Sequence, residues 1–192
     1  MKGNCFVNNY FAHVDYTKFN ISLDELQQES TNLDFVRVEI PYTEGEIREE
    51  FWSSQNYWFS AKVNLFLCPN VKKIICKLEE VMQDTYIKNN IIIETKLAVR
   101  FFRQLANSEL SAHRDENESC TALNFALGKN NSPITFTDIG DIHYTCCLLN
   151  VENKHFVKAN NIDRYIFRIS PINKKFAEVY NKFKSQKLLL EP

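Results

Sequence analysis

Glycine and proline are scarce in this chain, at 4 and 5 residues among 192. That scarcity excludes a collagen-like repeat and a long flexible or polyproline linker. No apolar run reaches the roughly 18 residues that a membrane-spanning helix needs, so no membrane association is expected. Net charge is nearly absent: 23 basic residues face 24 acidic ones. A chain so balanced has no global attraction for nucleic acid or an anionic membrane surface, although local basic stretches are not excluded. The six cysteines, Cys5, Cys68, Cys76, Cys120, Cys146 and Cys147, show no C-x-x-C spacing. A chain of this length needs no disulfide staples, so reduced thiols in a cytoplasmic setting are expected. The opening "MKGNCFVNNYF" lacks a long apolar core and a small-residue cleavage site, and does not read as a signal peptide.

What is present is enough to build a core. Hydrophobic residues make up 44% and aromatics 13% of the chain, which suits one domain over residues 1–192. The front carries helical signals. Ser22-Leu23-Asp24-Glu25 is a capping box, and Val71, Ile74, Ile75, Leu78, Val81 and Met82 recur at helical spacing. A helix over about 71–84 follows. From residue 91 the period changes. Seven or eight short segments rich in β-branched and aromatic residues, separated by Asn, Gly, Ser and Asp, predict a sandwich or barrel. The tail returns to helix, with Phe176, Val179, Tyr180 and Phe183 at helical spacing between lysines. The expected fold is mainly β with flanking helices. Residues 1–90 form a helical or mixed buttress, 91–171 a jelly-roll core, and 172–192 a C-terminal helix.

Two His-x-Asp pairs occur, "AHVDY" with His13 and Asp15, and "SAHRDE" with His113 and Asp115. Two residues apart on a strand share a face, so either pair could grip a metal ion from one side. With four histidines and many acids, one such pair by chance is unremarkable. Other groups must decide. Forty residues after Asp115 comes His155, which opens the segment "KHFVKAN". Two histidines and one carboxylate occupy three positions of an octahedral ion and leave three open for exogenous ligands. Farther on, in "NNIDRYIFRIS", alternation puts Arg164, Ile166, Arg168 and Ser170 on one face. Two arginines on one inward face are expensive unless an acid meets them, and a guanidinium fork matches a carboxylate in two-point contact. A small carboxylate bound beside the metal would explain both features.

At this point residues 96–171 resemble the Fe(II)- and 2-oxoglutarate-dependent oxygenases, through "RFFRQLANSELSAHRDE", "CTALNFAL" and "CLLNVENKHFVKANNIDRYIFRIS". The resemblance implies a double-stranded β-helix, cupin-like core. It implies that His113, Asp115 and His155 bind iron, and that Arg164 holds the far carboxylate of 2-oxoglutarate. With O2 as the third reactant, the implied activity is hydroxylation of a C–H bond with release of succinate and CO2. Many members carry serine or threonine four residues after that arginine, where this chain has Arg168. Arg168-x-Ser170 also resembles the Arg-x-Ser arrangement of other members. Arg164 is the preferred co-substrate ligand, with Arg168 as a second contact to it or to an acidic substrate.

The pair His13/Asp15 has no later histidine of its own, so His13 is read as a surface or packing residue. His143 is read as structural, with pocket lining as the alternative. Asn124 either points toward the co-substrate or satisfies backbone groups. Tyr57, Trp58 and Phe59 are a core cluster or a substrate wall. Cys146 and Cys147 are small core residues, and Lys174, Lys175, Lys182, Lys184 and Lys187 a solvated face. Two other functions stay open: a non-catalytic jelly-roll binding module, and a hydrolase using the same metal ligands. No motif identifies the substrate. A small molecule, an amino acid or a protein side chain is favoured, and nucleic acid is mildly disfavoured by the charge balance.

Overall fold

A computed structural model describes residues 9–37, 58–62, 68–82, 87–88, 91–92, 97–115, 120–128 and 132–191. In chain order the elements are β1 (Phe11–His13), α1 (Leu23–Thr31), β2 (Val36–Arg37), β3 (Trp58–Lys62), α2 (Pro69–Met82), β4 (Ile87–Lys88) and β5 (Ile91–Ile92). Then come β6 (Leu97–Gln104), β7 (Leu110–His113), β8 (Thr121–Leu127), β9 (Ile134–Phe136) and β10 (Gly140–Ile142). The last are β11 (Cys146–Asn150), β12 (His155–Val157), β13 (Arg164–Pro171) and α3 (Phe176–Ser185).

Among the described residues, one sheet runs β1-β11-β8-β13-β6-β3-β2 and a second runs β10-β9-β12-β7. Neighbours in both sheets are antiparallel. From β6 to β13 the chain crosses between the sheets at every step except the β9–β10 hairpin, which makes an eight-stranded jelly roll. The expected mainly β fold with flanking helices is the fold observed. The front of the chain supplies more than helices, however. β1 joins one edge of the larger sheet, and β2 and β3 extend the other. Such short edge strands carry little pattern of their own, because the sheet that they join supplies the pairing.

Two layers of apolar side chains explain the alternation. On the outer face of the larger sheet, Phe101, Leu123, Phe125, Leu127, Cys146, Leu148, Phe167 and Ile169 share a core with the helices. The helices contribute Leu26, Val71, Ile74, Leu78, Met82, Phe176, Val179 and Phe183. Burying each such side chain stabilises the fold by about 1.5–3 kcal/mol. Between the sheets lies a smaller cluster of Ala122, Ile134, Phe136, Cys147, Leu149 and Val151. Cys146 and Cys147 thus face opposite layers, and both are buried. Burial raises both thiols, that of Cys147 to about 12, so they remain protonated and poor metal ligands. No disulfide joins two of the described cysteines.

The helix ends follow from capping. Ser22 accepts a bond from the Glu25 N–H at 3.3 Å and starts α1, as the capping box requires. At the start of α2, the Glu29 carboxylate accepts from the Asn70 and Val71 N–H groups at 2.7 and 3.3 Å. That cap, with Pro69 in the first turn, begins the helix two residues before the expected position. No described helix is long and apolar enough to cross a membrane.

Candidate metal centre

β7 and β12 are paired with His113 directly opposite His155. Their rings lie 4.4 Å apart between centroids. Asp115 follows β7 by two residues, held by its own N–H donating to the Val151 carbonyl at 2.9 Å. One ligand atom from each of His113, Asp115 and His155 lies within 4.8 Å of the other two. Among the described residues this is the group of His, Cys, Asp and Glu side chains with such a spacing.

The backbone sets the tautomers. His113 Nδ1 lies 2.8 Å from the Ser111 carbonyl and His155 Nδ1 2.9 Å from the Asn153 carbonyl. A carbonyl only accepts, so each Nδ1 carries the hydrogen and each neutral ring presents an Nε2 lone pair. His113 Nε2 in turn lies 3.3 Å from Asp115 Oδ1. Lone pairs turned toward a common point repel one another unless a cation stands among them. Burial, together with the neighbouring His113, pushes His155 down to about 4, so its ring is neutral at ordinary pH and ready to ligate. Burial would raise the Asp115 carboxyl. The Arg168 guanidinium is the chief group opposing burial, and the carboxyl is held well below the ordinary carboxylate range. The donor set, two imidazole nitrogens and one carboxylate with further positions open, fits a divalent iron.

The two arginines of β13 have different partners. They share the inner face, since the alternate residues Tyr165, Phe167 and Ile169 pack on the helix side. Arg168 Nη2 donates to Asp115 Oδ2 at 2.5 Å, while Arg168 Nε donates to Ser170 Oγ at 3.2 Å. Arg164 is only 3% exposed. Its Nη2 donates to the Tyr144 hydroxyl at 3.0 Å, and its buried Nε has no partner. Among the described residues no carboxylate pairs with it. Asn124, in register with Arg168, donates to the same hydroxyl at 3.3 Å and leaves a buried Oδ1 unpartnered. A buried guanidinium with a phenol as its partner suits an anionic ligand from outside. The residues present therefore fit a small dicarboxylate as well as a metal.

Tyr144 escapes the sequence reading. It lies 20 residues from Arg164 in the chain, and no periodicity marks it. The pairing of Arg168 with Asp115 is equally invisible there. His13 and His143 stay apart from the triad: both line an open cavity of about 950 Å³ with Ala126, Gly128 and Tyr144, at the Leu127 end of β8. Asp15 accepts from the N–H and hydroxyl of Thr17, capping the short helical turn Tyr16–Phe19. The cluster of Tyr57, Trp58 and Phe59 lies outside the residues whose side chains are described.

No family model matches the sequence. No curated protein matches it either. Solved structures do. A prolyl hydroxylase from Trichoplax adhaerens, in complex with a peptide fragment of the hypoxia inducible factor oxygen degradation domain, superposes with a TM-score of 0.61. It is 14% identical, and the match covers 86% of this chain and 84% of that one. The viral collagen prolyl hydroxylase of Paramecium Bursaria Chlorella virus-1, in its 2OG complex, gives 0.56 at 12% identity over 88% and 98% of the two chains. A 2OG-Fe(II) oxygenase family oxidoreductase from Burkholderia pseudomallei gives 0.54 at 12% identity over 80% and 79%. The likeness establishes the fold: the jelly roll of this chain is that of the 2-oxoglutarate- and iron-dependent oxygenases.

Proposed function

We propose that the protein is an Fe(II)- and 2-oxoglutarate-dependent dioxygenase that hydroxylates a C–H bond and releases succinate and CO2. The observation that carries this reading is a conjunction. An open-faced triad of His113, Asp115 and His155 shares the barrel interior with Arg164, a buried cation with no anionic partner among the described residues. A hydrolase using the same triad leaves that arginine unexplained. A binding module leaves the triad unexplained.

Each residue has a definite task. His113 and His155 present Nε2, oriented by the Ser111 and Asn153 carbonyls, and Asp115 presents Oδ1. Arg164 and the Tyr144 hydroxyl take the far carboxylate of 2-oxoglutarate, with Asn124 beside them. Ile166, Phe136 and Leu149, all buried, keep water from the interior. Bound iron supplies the activation of O2 that couples decarboxylation of 2-oxoglutarate to substrate oxidation. The hydroxylases named above act on prolyl substrates, so peptidyl proline is the first substrate class to test. Anaerobic titration with Fe(II) and 2-oxoglutarate, followed by a succinate-release screen over prolyl peptides, free amino acids and small metabolites, tests the reading. Saturable, iron-dependent binding of 2-oxoglutarate is expected. A protein that binds iron but not 2-oxoglutarate refutes it.

A further inference from the structure

Arg168 does something that the co-substrate role does not require: it binds a metal ligand. Asp115 divides its two oxygens between two neighbours. Oδ1 faces His113 Nε2 at 3.3 Å, and Oδ2 accepts from Arg168 Nη2 at 2.5 Å. The pair is sheltered, each side chain being 21% exposed. Arg168 is itself held, because its Nε donates to Ser170 Oγ two residues along the strand. Asp115 is pinned from the other side by its N–H to the Val151 carbonyl. The Arg168 side chain cannot swing away without breaking its second contact, and the Asp115 backbone is fixed in place.

The register adds a reason for the pairing to persist. β13 and β6 place Arg168 directly opposite Arg100, and β8 places Asn124 on its other flank. Two like charges facing each other across strands destabilise a sheet unless one of them is neutralised. Asp115 neutralises Arg168.

We propose that Arg168 is a positioning residue that fixes Asp115 as a one-oxygen ligand and cancels its charge, so that the centre binds a divalent cation weakly alone and tightly with a dianionic co-substrate. This rests on the function proposed above. The argument is one of charge. With Arg168 in place the triad and its partner are neutral, and a divalent cation leaves two uncompensated positive charges in a sheltered site. A dianion removes both. Without the guanidinium, Asp115 would offset one of the cation's two charges, so the cation would bind more tightly alone and the dianion less tightly. Charges a few ångströms apart in such a setting interact by several kcal/mol even at a high effective dielectric. Metal and co-substrate must then each improve the binding of the other, by the same factor.

The test measures Mn(II) binding with and without 2-oxoglutarate in the parent, Arg168→Gln, Arg168→Met and Arg168→Lys. In the parent, 2-oxoglutarate should tighten Mn(II) binding at least tenfold. Arg168→Gln and Arg168→Met should bind Mn(II) alone about tenfold more tightly than the parent, and 2-oxoglutarate about tenfold more weakly. Arg168→Lys keeps the charge, so its Mn(II) affinity and its coupling should stay near those of the parent. A merely structural arginine would give the opposite sign, with weaker metal binding in the neutral variants. A parent that shows coupling, beside neutral variants with unchanged or weaker Mn(II) binding, overturns the role given to Arg168. A parent that binds no Mn(II), or whose Mn(II) affinity ignores 2-oxoglutarate, overturns the oxygenase reading and this proposal with it.

Discussion

Arg164→Met should make the metal-free protein more stable and its hold on 2-oxoglutarate much weaker. A guanidinium taken from water into an interior costs several kcal/mol, even after relaxation. Arg164 is 3% exposed and has one hydrogen bond among the described residues, to Tyr144, with Nε unpartnered. One charge-assisted bond returns about 1.5–3 kcal/mol, which leaves a deficit of about 1–3 kcal/mol by difference. Methionine fills a similar volume without a charge, so the substitution should recover that deficit and raise the melting temperature by roughly 2–10 °C in a chain of this size.

The same change removes a buried cation that has no anion among the described residues. Loss of a charge-assisted, two-point contact weakens 2-oxoglutarate binding by about ten- to a hundredfold. In the metal-loaded parent, 2-oxoglutarate at a hundred times its dissociation constant should stabilise the fold by about 2.7 kcal/mol. In Arg164→Met the shift should fall to about 0.4–1.4 kcal/mol at that concentration. Thermal melts of both proteins, with and without Mn(II) and 2-oxoglutarate, read all of these effects. A variant that melts lower than the parent and still shows the full shift would refute the reasoning, since Arg164 would then be a structural residue with its partner already in place.

Other outcomes follow from single contacts. Asp115→Ala removes the anionic member of the triad and should abolish iron retention, as read by metal analysis after desalting, while the apolar core keeps the fold. His13→Ala should leave iron retention unchanged, and a large loss there would move the centre to the other His-x-Asp pair. His155, at about 4 when folded and near 6.5 when unfolded, takes its proton more readily in the unfolded chain. The stability of the metal-free protein should therefore hold above pH 6.5 and fall by roughly 3 kcal/mol as the pH drops toward 4. Urea titrations across that range test this, and His155→Phe should flatten the profile. Glu29 is 7% exposed and accepts from the Asn70 N–H, the Asn70 Nδ2 and the Val71 N–H. Glu29→Ala should cost about 2–3 kcal/mol in denaturant melts without changing the metal affinity.

How much of this was legible before any coordinates depends on how local each signal is. The capping box at Ser22, the apolar stripe of α2 and the alternation from β6 to β13 are set by neighbours two to four residues apart, and these elements are all observed. The triad was legible because a strand puts His113 and Asp115 together and a second strand needs only one histidine at its start. β1, β2 and β3 were not, since they span two to five residues each and take their pairing from the sheet they join. Tyr144 and the Asp115 partnership of Arg168 depend on chain crossings of 20 and 53 residues. No spacing rule reaches so far. Alternation did place both arginines on one face, which is all that a period of two can say.

What separates those arginines is the supply of anions. They lie four residues apart on the inner face of β13, each pointing into an interior of low polarity, and each must be neutralised. For Arg168 the chain provides Asp115, and with it a link to the His113–Asp115–His155 triad. For Arg164 the described residues provide a phenol and no acid. The interior is therefore one negative charge short even before a divalent cation enters it, and two further positive charges arrive with that cation. A ligand that carries two carboxylates, one for the cation and one for Arg164, meets both needs at once. A monocarboxylate leaves one of them unmet. Succinate and 2-oxoglutarate satisfy the charges equally, so any preference between them must come from the keto oxygen and the metal, and removing the metal should erase the discrimination while leaving the weak dependence on Arg164 in place.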